Sequence, residues 1–205
     1  MTERVRTTTQ ARSGKGVIVD SAIRNIRTLG YHGTTMRGIA HGAGITVASI
    51  YHHFGAKQEV LQEIMVVALQ DLIGATRAAV LDAGASPSDQ LAAMVRAWIL
   101  FHTTRQPEAL IGSTEIRSLD PHGRDLVIAL RDEQEHFFRD VVRRGVDSGD
   151  FHTSAPPAEA ARAIINMGSS VAAWYSRSGG TTPTEMADTY AELALGTVRA
   201  DRPGP

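Results

Sequence analysis

The chain contains no cysteine, no long apolar run and no apolar leader, and each absence excludes a class of protein. Without cysteine there is no disulfide, no thiol nucleophile and no thiolate metal ligand. The longest apolar run, residues 64–69, is far shorter than the roughly 20 residues that cross a bilayer. The first residues are polar and basic, so no signal peptide is indicated. We therefore expect a cytoplasmic protein that makes no membrane contact.

Catalytic and metal-binding motifs are absent as well. The sequence has no G-x-S-x-G nucleophile elbow and no H-E-x-x-H zinc motif. No pair of carboxylates stands in a context typical of acid–base catalysis. His52 and His53 are adjacent, but neighbouring side chains on a helix point about 100° apart, which does not suit a shared metal. The sequence predicts a protein that is not an enzyme and that uses no metal or cofactor.

The formal net charge of −1 conceals an uneven distribution. Residues 1–57 carry eight Lys or Arg against two acidic residues, a charge of +6, and the rest of the chain carries −7. A basic segment joined to an acidic body favours a polyanionic partner for the first part only. The alternative is a solvated basic face with no binding role.

Residues 30–57, GYHGTTMRGIAHGAGITVASIYHHFGAK, have the pattern of a helix-turn-helix. Thr35 can cap a short helix whose apolar residues recur at helical spacing. Gly44 can supply the left-handed backbone that ends this helix. Thr46 can cap a second short helix, predicted over residues 47–53. Two short helices joined by a tight glycine turn form the unit that lays its second helix in the DNA major groove.

This segment resembles the TetR family pattern GY-x-x-T-T/S-M-x-x-I-A-x-x-A-G-V/I-S/T-x-x-S-I/L-Y-x-H-F-x-x-K. The matching residues are Gly30, Tyr31, Thr34, Thr35, Ile39, Ala40, Ala43, Gly44, Ile45, Thr46, Ser49, Tyr51, His53, Phe54 and Lys57. The resemblance covers roughly residues 14–64 and implies a transcriptional regulator that binds double-stranded operator DNA as a homodimer. Val47 and Ala48 stand where many members carry Lys or Gly, so the family's base preference is not implied.

Eight residues are predicted to contact DNA: Thr35, Arg37, Thr46, Val47, Ser49, Tyr51, His52 and Lys57. Tyr51 and Lys57 are expected at phosphates, and the two threonines at helix ends. The other side chains are expected to face base edges or the nearby backbone.

The rest of the chain shows helical periodicity and no strand alternation, so we predict an all-α protein. Residues 1–62 form a three-helix DNA-binding domain, and residues 63–205 a larger ligand-binding and dimerisation domain. Residues 1–13 are either a basic arm that reaches the DNA or a frayed terminus without a role. The remaining helices are predicted over residues 15–29, 56–82, 88–105, 124–147 and 158–176, with a shorter helix between Pro107 and Pro121 and a last helix after the capping box at residues 182–185.

The helix predicted over residues 158–176 is apolar nearly all round, which indicates packing partners on two sides. In the TetR family the last two helices pair across a two-fold axis as a four-helix bundle. The resemblance therefore predicts a dimer interface that contains Ile164, Gly168, Val171, Ala172, Tyr175, Tyr190, Leu193 and Ala194. The alternative is a helix buried entirely within its own chain.

Seven residues are predicted to bind an effector: Trp98, Phe101, His102, Arg105, Arg117, Phe137 and Trp174. The aromatic side chains would hold an apolar tail, and His102 or an arginine would recognise a polar group. Residues 108–142 and 174–195 resemble a TetR subgroup that regulates fatty-acid, sterol or other acyl-CoA catabolism. That resemblance implies a small-molecule effector of the acyl-CoA type.

Three alternatives stay open at this point. The protein could be a multidrug-type regulator whose pocket holds hydrophobic or cationic compounds and has no anion site. It could also be a small helical enzyme or lipid carrier with a vestigial helix-turn-helix, although the buried acid–base pair that such an enzyme needs is not visible. His102 could be a core histidine that binds no ligand.

Overall fold

The computed structural model describes residues 14–198, and within that range the chain is α-helical, with one 3-10 turn at Ile116–Ser118 and no strand. This confirms the all-α prediction. The predicted arm at residues 1–13 lies outside the described residues. The helices are α1 (Gly14–Gly33), α2 (Met36–Ala43), α3 (Val47–Tyr51), α4 (Lys57–Asp82), α5 (Pro87–Thr104), α6 (Gln106–Thr114), α7 (Pro121–Ser148), α8 (Pro157–Ser169), α9 (Val171–Trp174) and α10 (Pro183–Val198).

The chain divides into two compact units, and the division falls between Glu63 and Ile64, inside α4. By length and composition α4 is apolar enough to cross a membrane. A core helix passes the same test, and α4 is buried along part of its surface. Its buried side chains are Val60, Leu61, Ile64, Met65, Ala68, Leu72, Ile73, Thr76 and Val80.

The first unit is built on α1, which buries Ile18, Ala22 and Ile26. The helix is broken at Gly30, whose φ of 70° suits glycine. Helical spacing through Ile18, Ala22 and Ile26 predicts Leu29 on the inward face as well, but Leu29 is 57% exposed. Because the backbone leaves the helical path directly after Leu29, the next side chain, Tyr31, occupies the core instead.

The second unit has one apolar core between α5, α7, α8 and α10. α5 packs along α10, and α7 packs along α8. Three of these helices begin at side chains that bond the free backbone of the first turn. Ser86 caps α5, Asp120 caps α7, and the predicted box at residues 182–185 opens α10 with Thr182 N–H donating to Glu185 Oε2 at 2.8 Å.

Two helices of the second unit differ from their predictions. In α7 the helical spacing predicts Leu126, Leu130, Phe137, Val141 and Val142 on the inward face. Val141 and Val142 are buried as predicted, but Val127, Gln134 and Phe138 are buried in place of Leu126, Leu130 and Phe137. The helix predicted over residues 158–176 is interrupted at Ser170, which separates α8 from α9.

Candidate functional site

The helix-turn-helix is held together by the caps that the sequence predicts. Thr35 Oγ1 accepts the N–H of Gly38 at 3.1 Å, and Thr46 Oγ1 accepts the N–H of Ser49 at 3.1 Å. Gly44 ends α2 with φ of 69°, and the N–H of Ile45 bonds the carbonyl of Ala40 at 3.0 Å. These bonds use the free backbone groups at both helix ends, so the turn is fixed without any ligand.

The face of α3 opposite the core is free to meet a partner. Ile50 is fully buried, whereas Val47 is 40% and Tyr51 53% exposed. Arg37 and His52 are exposed as well, and Ser49 is half-buried beside Thr46. α3 ends at Tyr51, so His52 lies in the turn after the helix rather than inside it, as the predicted range of 47–53 had placed it.

Lys57, which is predicted to contact a phosphate, forms bonds within the first unit. Its ammonium donates to the carbonyls of Tyr31 and Thr34, each at 2.8 Å, and lies 4.3 Å from the centre of the Tyr31 ring. Two of the three ammonium donors are therefore engaged within the first unit.

A cavity of about 360 Å³ lies inside the second unit. Its wall is mostly apolar, with a few polar and charged groups. It is lined by Met65, Ala68, Leu69 and Leu72 of α4, Trp98, Phe101 and His102 of α5, Glu108, Ala109, Gly112 and Ser113 of α6, Val127, Arg131, Gln134 and Glu135 of α7, and Ile165, Asn166 and Ser169 of α8.

An aromatic cluster forms one part of this wall. The ring centres of Trp98 and His102 are 4.7 Å apart, and those of Phe101 and His102 are 5.4 Å apart. Burial lowers the pKa of His102, against the opposing effect of its hydrogen bond to the backbone of Trp98. Nδ1 lies 2.7 Å from the Trp98 carbonyl, which can only accept. The neutral ring therefore carries its proton on Nδ1 and leaves Nε2 as an acceptor.

Arg131 is the charged group of the wall that lacks a counter-charge. Its guanidinium donates to the carbonyl of Gly112, and within residues 14–198 it forms no ion pair. Burial lowers the pKa of Arg131, and no carboxylate offsets the effect. The two carboxylates of the wall are both paired, Glu108 with Arg105 at 3.0 Å and Glu135 with Arg162 at 3.2 Å. The cavity therefore offers an unneutralised positive charge.

Four of the seven predicted effector-binding residues do not line this cavity. Arg105 is paired with Asp71 at 2.6 Å and with Glu108, and Arg117 is exposed on the 3-10 turn. Phe137 lies along a separate charged groove on α7, and Trp174 is 55% exposed. The other three predicted residues, Trp98, Phe101 and His102, do line it.

Sequence reasoning missed the polar residues that α7 contributes to the wall. Val127, Arg131, Gln134 and Phe138 follow one another at spacings of four, three and four, which places them on one helical face. Gln134 is buried, and its Oε1 lies 3.1 Å from the hydroxyl of Thr76 in α4. The spacing is visible in the sequence, but a helical face on which polar and apolar residues alternate is not recognised as a buried face.

The residues predicted for the dimer interface divide into two groups. Leu193 is 50% exposed and Tyr190 is half-buried, so both remain available to a partner. The other six are buried within their own chain: Ile164, Gly168, Val171, Ala172, Tyr175 and Ala194. The small residue Gly168 lies close to Trp98 of α5. The interface stays a prediction, and Tyr190 and Leu193 are its members that are not buried.

Comparison with known proteins gives the same domain pattern. The family described as "Bacterial regulatory proteins, tetR family" matches residues 18–64. The family described as "Tetracyclin repressor-like, C-terminal domain" matches residues 84–198. These ranges include the helix-turn-helix and most of the second unit.

Individual relatives match over nearly their whole length. The HTH-type transcriptional repressor KstR2 of Mycobacterium tuberculosis strain H37Rv is 27% identical over 188 residues, which are 91% of this chain and 94% of KstR2. The crystal structure of the regulator PfmR from Thermus thermophilus has a TM-score of 0.80 and 32% identity, and covers 87% of this chain and 96% of its own.

A third similar structure has its ligands bound. The crystal structure of AibR in complex with isovaleryl coenzyme A and operator DNA has a TM-score of 0.80 and 25% identity, and covers 89% of this chain and 98% of its own. With both halves of the chain matched and the helix-turn-helix geometry in place, the chain belongs to the TetR family of bacterial regulatory proteins, which are DNA-binding transcriptional regulators and not a class of enzymes.

Proposed function

We propose that this protein is a repressor that binds a palindromic operator as a homodimer and releases it when the acyl part of an anionic acyl compound, such as an acyl-CoA, enters the cavity. The observation that carries the effector class is the unpaired charge of Arg131 on an otherwise largely apolar wall. The observation that supports the proposed DNA binding is the exposed face of α3.

The DNA-binding argument starts from the shape of the first unit. α3 presents Val47 and Tyr51 outward, and Thr35 and Thr46 each cap the start of one of the two short helices. Arg37 is exposed at the start of α2. A helix with this support can enter the major groove, and two copies related by a two-fold axis read half-sites about one helical turn or a multiple of it apart. Val47 offers an apolar contact suited to a thymine methyl.

The effector argument rests on charge and size. A half-buried arginine without a counter-charge is partly desolvated, and an anionic ligand offsets that cost on binding. A volume of about 360 Å³ is at the lower end for ligand pockets, enough for an acyl group but not for a whole coenzyme A. The AibR structure contains isovaleryl coenzyme A, and the KstR2 structure is that of a ketosteroid transcriptional regulator. Both support an acyl or lipid-derived effector for this chain.

We infer that ligand binding in the cavity affects DNA binding through α4. Met65, Ala68, Leu69 and Leu72 of this helix line the cavity, and the same helix begins at Lys57 in the first unit. A ligand that binds more tightly to a conformation with α4 displaced shifts the population toward it. A difference in binding free energy of about 1–3 kcal/mol between the two conformations is the usual size of such coupling.

Selection from a pool of genomic fragments tests the DNA-binding part. We expect enrichment of an inverted repeat, and Tyr51→Ala should weaken binding to it. Leu81→Ala is the matched control, because Leu81 is exposed in α4 at residues assigned to the second unit and should leave binding unchanged. A pool that enriches no motif would contradict the proposal.

A further inference from the structure

Four residues of the helix-turn-helix motif, Gly30, Tyr31, Thr34 and Lys57, form one connected cluster, although Lys57 is far from the other three in sequence. The Lys57 ammonium lies 2.8 Å from the Tyr31 carbonyl, 2.8 Å from the Thr34 carbonyl and 4.3 Å from the Tyr31 ring centre. Thr34 Oγ1 donates in turn to the carbonyl of Gly30 at 2.8 Å. We refer to Gly30, Tyr31, Thr34 and Lys57 as the Lys57 lock.

The lock fixes the backbone that leads into α2. Gly30, with φ of 70° and ψ of 166°, turns the chain out of α1 so that the carbonyls of Tyr31 and Thr34 can converge on one donor. Thr34 directly precedes Thr35, which caps α2. Lys57 is the first residue of α4. One side chain therefore connects the start of α4 to the start of α2.

The environment favours a structural bond over a solvent-facing charge. Thr34 and Tyr31 are buried, and Lys57 is half-buried. Hydrogen bonds from an ammonium to carbonyls are stronger than neutral ones, and more so when water is partly excluded. The aromatic face adds a cation–π attraction. A phosphate would have to compete with these partners for the same ammonium.

We propose that Lys57 is a positioning residue: it sets the position of α2 on α4 from inside the protein, and its effect on DNA binding does not come from a phosphate contact. The DNA part of this inference rests on the proposed function. The structural part concerns the free protein alone.

Amide hydrogen exchange of the free protein tests the structural part without DNA. Lys57→Met keeps the aliphatic stem and removes all three donors. We expect exchange at residues 31–38 to become about tenfold faster or more, because two charge-assisted bonds are lost. Arg37→Met removes a neighbouring exposed cation that the lock does not use, and it should leave exchange in this segment unchanged. Wild-type exchange rates in Lys57→Met would overturn the proposal.

The salt dependence of operator binding separates positioning from phosphate contact. A lost phosphate contact lowers the slope of log affinity against log salt by about one per half-site. We expect Lys57→Met to weaken binding about tenfold with the wild-type slope, because the missing bonds are internal. A reduced slope with unchanged exchange would overturn the proposal and identify Lys57 as a phosphate contact.

Two further measurements keep the outcomes distinct. If Lys57→Met does not fold, Tyr31→Leu is the second variant, because it keeps both carbonyl bonds and removes only the ring. We expect amide exchange at residues 31–38 to become faster, but less so than in Lys57→Met. Unchanged exchange rates would count against the lock. If wild-type protein binds no operator, the proposed function fails, while the exchange experiment still decides the role of Lys57.

Discussion

Gly168 of α8 lies against the indole ring of Trp98 in α5. A Cβ atom at residue 168 would stand 2.5 Å from Trp98 Cδ1 and 2.8 Å from Nε1, closer than any side chain tolerates. Trp98 also stacks edge-on against Phe138, with ring centres 5.3 Å apart, and lines the cavity. The glycine therefore lets α8 approach α5 and fixes one wall of the cavity.

Gly168→Ala should destabilise the protein by about 1–3 kcal/mol, because the indole cannot move away from the added methyl without disturbing its packed neighbours. Gly74→Ala is the matched control. Gly74 is in the middle of α4 with nothing near its absent side chain, so alanine there should stabilise by about 0.5–1 kcal/mol. Chemical unfolding measures both, and equal effects of the two changes would refute the packing role of Gly168.

Arg131→Met should change ligand affinity and stability in opposite directions. Losing the unpaired cation should weaken the binding of an acyl-CoA about tenfold or more, while the midpoint of thermal unfolding rises because a poorly solvated charge is gone. Arg117→Met, at an exposed arginine outside the cavity, should alter neither property. Calorimetric titration and a thermal melt give the two readouts. Undiminished affinity in Arg131→Met would refute the anion site.

Leu193→Glu should disrupt the proposed homodimer. Leu193 is half-exposed on α10, so the glutamate is tolerated in a monomer but would be buried unpaired in an interface. Sedimentation should show a folded monomer, whereas Leu81→Glu, at a position 81% exposed, should remain dimeric. Ala172→Glu is not an informative test, because Ala172 is buried in its own chain and the change would unfold it. A dimeric Leu193→Glu variant would place the interface elsewhere.

His102 should make the protein less stable in acid. Burial lowers its pKa below the ordinary 6.5, so below that pH the unfolded chain binds a proton that the folded protein does not. The free energy of unfolding should therefore fall as the pH drops from 6.5 toward the folded-state pKa. His102→Gln should remove this part of the pH dependence, and His122→Gln, at an exposed position, should not. Identical pH profiles for His102→Gln and wild type would show that burial has no such effect.

The first unit was predictable from sequence because its signals are local. Thr35, Gly44 and Thr46 act within three or four residues of the backbone groups they satisfy, so their spacing alone identifies both short helices. The lock between Tyr31 and Lys57 was not predictable in the same way. It joins residues that are far apart in sequence, and a lysine beside a helix-turn-helix equally suggests a phosphate contact.

The second unit was harder because its cavity breaks the patterns from which cores are predicted. α7 contains two adjacent phenylalanines, Phe137 and Phe138. In the sequence, the helical face with Phe137 is the more apolar of the two. The face that points inward is the one with Phe138, which also carries Arg131 and Gln134. In α8 the apolar surface is broad, and sequence cannot distinguish packing within one chain from packing with a partner. The structure assigns Ile164 to its own core and leaves Leu193 outside.

The most direct test of the central claim is the titration of an operator-bound complex with short- and medium-chain acyl-CoAs, followed by fluorescence anisotropy at one salt concentration. We predict that an acyl-CoA releases the operator from wild-type protein, and that Arg131→Met requires about tenfold more ligand or more. Free coenzyme A and cationic hydrophobic drugs should leave the complex intact. Release by cationic drugs alone, with equal sensitivity in Arg131→Met, would contradict the account and favour a multidrug-type regulator.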